Sequence, residues 1–337
     1  MTLFLSVISF LILLYLYRKL SYKLNLIDRP NYRKRHIGEI PLIGGLVIYT
    51  NILIFSFLYN IDYHLNVILI TSSILIILGA IDDANDIGVT FRLIAQLMCC
   101  LIIIGSGLAI NNIGNYMFLP KINIGILSVL FTVFCVIGLT NAFNFIDGID
   151  GLCSSLVFVS ISTILLLTFI NGNYLVFQDF QYLILICISI LLFIFFNLSS
   201  YSKIFLGDSG SIFLGFLVSW LLIYTSQSEI QLIHPVLTIW CVTLIVFDIF
   251  SVVIRRIIRR INPFKPDRRH IHHIFIELGF DKTKTFLIIL ILSLILNLFG
   301  CSIFYTFGPA PALLTFFILL FIYLFLMIYL SRRANTN

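Results

Sequence analysis

The stretch Asn141-Ala142-Phe143-Asn144-Phe145-Ile146-Asp147-Gly148-Ile149-Asp150-Gly151-Leu152 sets two amides, two carboxylates and two glycines between long apolar runs. An ionised side chain deep in a membrane span costs roughly 2.5–3.5 kcal/mol even on the lenient insertion scale. Asp147 and Asp150 therefore ask for something to bind or transform. Their i, i+3 spacing would put both carboxylates on one face of a helical turn, and Gly148 and Gly151 allow a ligand to approach the backbone closely.

Three more polar stretches carry the same kind of chemistry. In Asp82-Asp83-Ala84-Asn85-Asp86 two acids are adjacent, and like charges 4 Å apart cost about 4 kcal/mol at an effective dielectric near 20. A solvated helix end would tolerate them; otherwise a divalent cation or a cationic partner is needed. The calcium-loop pattern lacks its twelfth-position Glu, whereas oxygen ligands without cysteine suit magnesium when phosphates complete its shell. The second stretch, Phe205-Leu206-Gly207-Asp208-Ser209-Gly210-Ser211, contains a G-D-S-G core. A serine protease would need a triad on a soluble scaffold, and this segment instead opens a membrane helix. Glycines and hydroxyls at a helix N-terminus predict a phosphate site, with Asp208 left to hold a metal. No Walker A motif is present, which argues against ATP hydrolysis of the usual kind.

The third stretch runs from Arg255, Arg256, Arg259 and Arg260 into Lys265, Arg268, Arg269, His270, His272 and His273. The first four arginines read as a cytoplasmic anchor after a span. The histidines could suit zinc, but no cysteine or nearby acid completes such a site, so with Lys265, Arg268 and Arg269 they read as donors to an anionic substrate. A second basic cluster, Arg29, Arg33, Lys34, Arg35 and His36, follows Asp28.

The elements that must position these residues are membrane helices. Of the 337 residues 60% are hydrophobic and 11% charged, against about 25% charged in a soluble domain. The fold class expected is all-α: a polytopic membrane helix bundle forming one domain over 1–337, and a soluble enzyme is excluded. Leu3 to Tyr17 is followed, not preceded, by Arg18 and Lys19, so it reads as an uncleaved first span. Further apolar stretches fall near 41–59, 66–81, 91–110, 122–140, 152–171, 181–198, 211–225, 234–254, 285–307 and 310–330, about eleven transmembrane helices at roughly 20 residues each. The runs near 66–81 and 211–225 are short, which suggests that the polar loops beside them dip into the membrane. The seven cysteines show no C-x-x-C spacing and read as small hydrophobes.

Assigning alternate loops to two sides puts every Lys and Arg of the 21 except Lys121 on one of them. By the positive-inside rule that side is cytoplasmic, with the N-terminus outside and the C-terminus inside. Orientation thus accounts for the net charge of +6 without nucleic acid. The acid clusters fall on the same cytoplasmic side, so an active face built from several loops at the inner surface is expected.

The ordered set D-x-P-x-x-R-K-x-H, D-D-x-x-D, N-A-F-N-x-x-D-G-I-D-G-L, G-D-S-G-S and P-D-R-x-H-I-H-H, within about 28–280, closely resembles the polyprenyl-phosphate N-acetylhexosamine-1-phosphate transferases. Within that superfamily it is most similar to the bacterial branch that uses GlcNAc. One departure is Ala84-Asn85, where some relatives carry a basic residue inside D-D-x-x-D. The resemblance implies transfer of GlcNAc-1-phosphate from UDP-GlcNAc to undecaprenyl phosphate with release of UMP. That reaction is the first membrane step of an envelope polysaccharide such as the O-antigen of lipopolysaccharide, at the cytoplasmic face of the bacterial inner membrane. It implies Mg²⁺ (or Mn²⁺) at Asp208; catalytic roles for Asp82, Asp83, Asp147 and Asp150; and substrate contacts from Asn144, Phe205 (against uracil), Arg33, Lys34, His36, Arg268, His270, His272 and His273. Membrane lipid is the expected surrounding, with a homodimer as one option for assembly. The His-Ile-His-His run points away from the muramyl-pentapeptide donor, while another UDP-N-acetylhexosamine is the nearest alternative. A cation-coupled transporter is the rival from another class, and Asp248, embedded furthest in an apolar run, serves it best.

Overall fold

A computed structural model describes residues 2–30, 38–116, 120–172, 179–228, 231–260 and 270–334. Within these the chain is helical almost throughout, as it must be where lipid offers no partner to a backbone amide. The helices are α1 (Thr2–Lys23), α2 (Gly44–Tyr59), α3 (Tyr63–Asn85), α4 (Val89–Gly105), α5 (Ser128–Ile146), α6 (Leu152–Ile170), α7 (Phe180–Leu198), α8 (Gly207–Gln227), α9 (Pro235–Cys241), α10 (Thr243–Ile258), α11 (Ile271–Glu277), α12 (Lys282–Phe307) and α13 (Pro309–Ala334). The only sheet among the described residues is a two-stranded tie, β1 (Ile27–Asp28) antiparallel to β2 (Ile40–Pro41). Among the described residues eight helices are long and apolar enough to cross a membrane, and α9 with α10, bent by 76°, makes a ninth if the pair is one span. The apolar helices α2 and α4 are shorter, at 16 and 17 residues.

Several starts follow from local chemistry. Asp62 accepts a hydrogen bond from His64 N at 2.8 Å and opens α3, and Asp281 does the same for α12 through Lys284 N at 2.7 Å, each satisfying an amide that the helix leaves unpaired. Pro235 stands in the first turn of α9 behind His234, whose Nδ1 accepts from Val236 N, where the missing proline N–H costs nothing.

The bundle is organised around α8, which is buried along its whole span, whereas α1, α5, α12 and α13 bury less than a third of theirs. Lipid is as apolar as leucine, so α8 is not held inside by hydrophobicity; close packing and hydrogen bonds must do it. Its polar residues turn inward on their own helix: Ser219, Thr225 and Ser226 donate to carbonyls four residues back at 2.7–2.8 Å. Small residues let its neighbours come close. A Cβ on Gly79 of α3 would lie 2.4 Å from Ser209 Cα, and one on Gly45 of α2 would lie 2.3 Å from Gly210 Cα. These contacts bring the end of α3 onto the start of α8.

Two expectations are corrected here. The runs near 66–81 and 211–225 belong to helices of 23 and 21 residues. The acid motifs therefore sit in helical end turns, not in loops dipping from short spans; each helix continues past its apolar run because its acids find partners. The run 234–254 is not one straight span but breaks at Val242.

Candidate active site

The ends of α3 and α5, the starts of α4 and α8 and the short α11 meet at one end of the bundle. α3 finishes with Asp82 and Asp83 in its last turn and Asp86 as its left-handed cap (φ 53°), whose N–H donates to Asp82 O at 2.8 Å. The third acid of D-D-x-x-D thus ends the helix. Asp83 reaches across to the N-terminus of α8. Its Oδ1 accepts from Asp208 N at 2.7 Å, and its Oδ2 from Ser209 N at 3.2 Å and Ser209 Oγ at 2.9 Å. The phosphate site expected at this helix start already holds an anion of the protein, since the helix dipole and free amides attract a carboxylate as they would a phosphate. Gly207 makes room for it: with φ +76°, a Cβ there would lie 2.5 Å from Asp83 Oδ2.

Asp208, released from capping, turns its side chain to α4 and α5. Arg92 Nη1 donates to its Oδ2 at 2.8 Å and stands 3.0 Å from Asp82 Oδ2, so one guanidinium bridges the two acids. Asn144 Nδ2 donates to Asp208 Oδ1 at 2.9 Å and lies 2.8 Å from Ser211 Oγ. Asn141, one turn earlier, ties α5 to α4 by donating to Gln96 Oε1 at 2.7 Å. Asp82 is buried, with Arg92 as its ion-pair partner.

Asp147 and Asp150 do not share a helical face, which corrects the expectation from their spacing. α5 ends at Ile146, Asp147 is its cap (φ −75°, ψ 50°), and the chain turns through Gly151 at φ +74° before α6 begins. Asp147 stays on the acid cluster. Its surroundings push its carboxyl up, first by desolvation and then through the charges of Asp208, Asp150 and Asp83, although the side chain keeps an exposed face; a crowded carboxylate resists ionising. Asp150 turns instead to Lys203, whose Nζ is 2.6 Å from Oδ2. Lys203 also lies 5.3 Å from the centre of the Phe205 ring. Phe205 is held by its backbone, its N–H donating to Pro41 O and its carbonyl accepting from Gly44 N, both at 2.9 Å.

The histidines form the remaining wall. His272 is fully buried against Gly148, where a Cβ would lie 2.3 Å from Nε2, and neither ring nitrogen has a hydrogen-bond partner among the described residues. Burial, then the neighbouring His273 and His270, push its pKa down to about 3, so it is a neutral ring at physiological pH. The rings of His272 and His273 are 4.1 Å apart, and those of His270 and Phe145 are 5.5 Å apart. Arg33, Lys34, His36 and Arg268, with Lys265 and Arg269, lie outside the described residues.

Some of the site is not foreshadowed by motif reading. Arg92, in the first turn of α4, and Lys203, between α7 and α8, are each the lone basic residue of an otherwise acidic or neutral stretch, and that isolation is the only local sign of them. Asp248 is not a free intramembrane acid: its Oδ2 is 2.7 Å from His270 Nδ1, and its Oδ1 accepts from Ile271 N at 2.9 Å. Arg255 and Arg256 are buried, so they do more than anchor the chain at a membrane surface.

A cluster of acids bridged by one arginine, set beside buried histidines at one end of a membrane bundle, suits the handling of phosphates next to lipid. Comparison with known proteins leads to the same chemistry. The model of glycosyl transferase family 4 matches residues 65–226. The undecaprenyl-phosphate alpha-N-acetylglucosaminyl 1-phosphate transferase of Salmonella typhimurium is 34% identical over 333 residues, covering 96% of this chain and 88% of that protein. The Escherichia coli K12 protein of the same name is 34% identical, covering 95% and 88%. A probable undecaprenyl-phosphate N-acetylglucosaminyl 1-phosphate transferase of Bacillus subtilis is 27% identical, covering 98% and 91%. The likeness runs almost from end to end, and the chain belongs to the family of undecaprenyl-phosphate N-acetylglucosaminyl 1-phosphate transferases.

Proposed function

We propose that this protein transfers GlcNAc-1-phosphate from UDP-GlcNAc to undecaprenyl phosphate, giving undecaprenyl-diphospho-GlcNAc and UMP. The observation that carries the reading is the bridge Asp82–Arg92–Asp208–Asn144, which joins four helices at one end of the bundle beside a lipid-exposed surface. In the reaction an oxygen of the lipid phosphate attacks the phosphorus that bears the sugar. The bond from that phosphorus to the bridging oxygen breaks, and UMP departs with the oxygen and its electrons. We favour this single displacement over a covalent aspartyl intermediate, because Asp83 is committed to capping α8 and Asp82 is buried beside Arg92.

The acids fit a divalent cation. Asp82 presents a buried carboxylate whose Oδ2 is 3.0 Å from Arg92 Nη1, and Arg92 is the only cation placed against Asp82 and Asp208 by the ion pairs described. Magnesium takes one or two carboxylates and fills its shell from phosphates and water, and Asp82 and Asp208, held together by Arg92, offer two. Asp208 with Asp82 would hold Mg²⁺ or Mn²⁺. When bound, such an ion would screen the diphosphate and the charge gathering on UMP. Asp82 would orient the lipid phosphate, Arg92 would limit repulsion between that phosphate and the acids, and Asn144 would hold Asp208 in place. Lys203, steadied by Asp150, and the Phe205 ring would receive the nucleotide. The histidine wall, with Arg268, would close over the sugar phosphate, while Arg33, Lys34 and His36 would meet the lipid phosphate.

We further propose eleven spans, counting α2 and α4 with the nine above, and an orientation with the N-terminus outside and the active face in the cytoplasm of a bacterial inner membrane. The distribution of Lys and Arg supports it. The involvement of Asp248 with His270 removes the residue on which a transporter reading leaned.

A donor panel tests the reading: purified protein, undecaprenyl phosphate, Mg²⁺ and radiolabelled UDP-GlcNAc, UDP-GalNAc or UDP-muramyl-pentapeptide. UDP-GlcNAc is the expected donor, and the pentapeptide donor should not be used. Efficient use of the pentapeptide would overturn the assignment; UDP-GalNAc is excluded only as far as the site hydrogen-bonds the inverted hydroxyl.

A further inference from the structure

One buried carboxylate takes no part in the reaction as described. Asp248 lies in α10, beyond the break at Val242, and is 2% exposed. Both its oxygens face α11: Oδ2 is 2.7 Å from His270 Nδ1 and Oδ1 accepts from Ile271 N at 2.9 Å. His270 is the N-cap residue of α11, but its own side chain makes no capping bond. A side chain from another helix therefore supplies the cap. The ring it holds lies 5.5 Å from Phe145, tilted by 32° to it and next to Asn144, and stacks 6.2 Å from His272, which is seated on Gly148.

We infer that Asp248 is a positioning residue for the transfer reaction: it docks the histidine helix onto α10 and, by accepting the Nδ1 proton of His270, fixes that ring's tautomer and orientation. A carboxylate accepts hydrogen bonds and cannot donate when ionised. With the carboxylate as acceptor the proton sits on Nδ1, and Nε2 is the nitrogen left facing away from Asp248. The arrangement parallels other histidines whose active nitrogen is set by the hydrogen bond on the opposite one. Burial makes the pair costly to leave half-formed, which explains an acid placed so far inside an apolar helix.

Asp248→Asn is the informative change. The amide oxygen can still accept from Ile271 N, but the NH₂ then faces Nδ1 and requires it to be an acceptor, which sends the proton to Nε2. Nitrogen-15 NMR of histidine-labelled protein, with the His270 signals identified by their loss in His270→Gln, should show Nδ1–H in the wild type and Nε2–H in Asp248→Asn. The same tautomer in both would overturn the inference. Kinetics form the second arm, and only this arm rests on the proposed function. Asp248→Asn should lower kcat about 10- to 100-fold, as loss of an orienting partner does elsewhere, with little change in KM for UDP-GlcNAc. Asp248→Glu should recover part of the rate. The double variant with His270→Gln should be no slower than the slower single variant, because both remove one unit; additive losses would mean that Asp248 acts independently of His270. A wild-type protein that does not transfer GlcNAc-1-phosphate would defeat the proposed function while leaving the NMR result to decide the inference.

Discussion

At the scale of single residues, the site is a set of acids kept apart by the jobs they are given. Asp83 caps a helix, Asp86 ends one, Asp150 pairs with Lys203, and Asp82 and Asp208 share Arg92. Gly148 and His272 show how tightly the wall is built. A Gly148→Ala substitution would put a methyl group 2.3 Å from Nε2 of the buried ring and displace it, so turnover should fall at least about tenfold while the protein still inserts and purifies; a near-normal rate would mean that His272 has no role in positioning the site. The same ring gives a sign to the pH dependence of stability. Its folded pKa of about 3 lies below the ordinary value near 6.5, so the unfolded chain takes up the proton first as pH falls. Stability is fully present above about 6.5 and is lost progressively toward 3, with up to about 2 kcal/mol lost by pH 5 from this group. Melting of the detergent-solubilised protein at pH 7 and pH 5 should show the drop, and His272→Gln should reduce it.

The acids, amides and histidines themselves are legible as motifs, because charge inside an apolar chain is conspicuous. Which acid does which job is not. Pairing Asp83 with α8, or Asp248 with His270, depends on residues 125 and 22 positions apart, and no local spacing encodes that.

At the scale of helices, α8 is the element on which the site depends. Its N-terminal turn can present Asp208 only because α3 delivers a capping carboxylate to it, and α3 can approach only because Gly79 lacks a side chain. Gly79→Val would meet the backbone of Ser209, which has no flexible end to move aside. We expect poor yield and loss of a monodisperse peak on size exclusion, whereas Gly88→Ala, with open space around it, should behave as wild type. Asp83→Ala should be milder, costing about 0.5–2 kcal/mol for the lost cap and lowering the melting temperature along with activity. Apolar runs are enough to locate most of the helices. They stop several residues short at the acid motifs, where ion pairs let a helix run past its hydrophobic stretch. Nor do they announce the break between α9 and α10, since Val242 is neither proline nor glycine, the residues that usually mark a kink.

At the scale of the whole molecule, the account requires every phosphate-handling residue to lie on one side of the membrane. In a cysteine-free background, single cysteines next to Asp147 and His272 should be labelled from the cytoplasmic side, and ones next to Asp62 and Asp179 from outside. Labelling of the first two from opposite sides would dismantle the shared site. Lys and Arg counts point to this orientation directly, because insertion reads the same loop charges that the sequence displays. The most direct measurement follows UMP release and lipid-linked GlcNAc together, with purified protein, UDP-GlcNAc and undecaprenyl phosphate. The wild type should form both products in equal amounts with Mg²⁺ and neither in excess EDTA, and Asp208→Asn should form neither while folding normally. Turnover by Asp208→Asn, or by the wild type in EDTA, at near the normal rate would contradict the account.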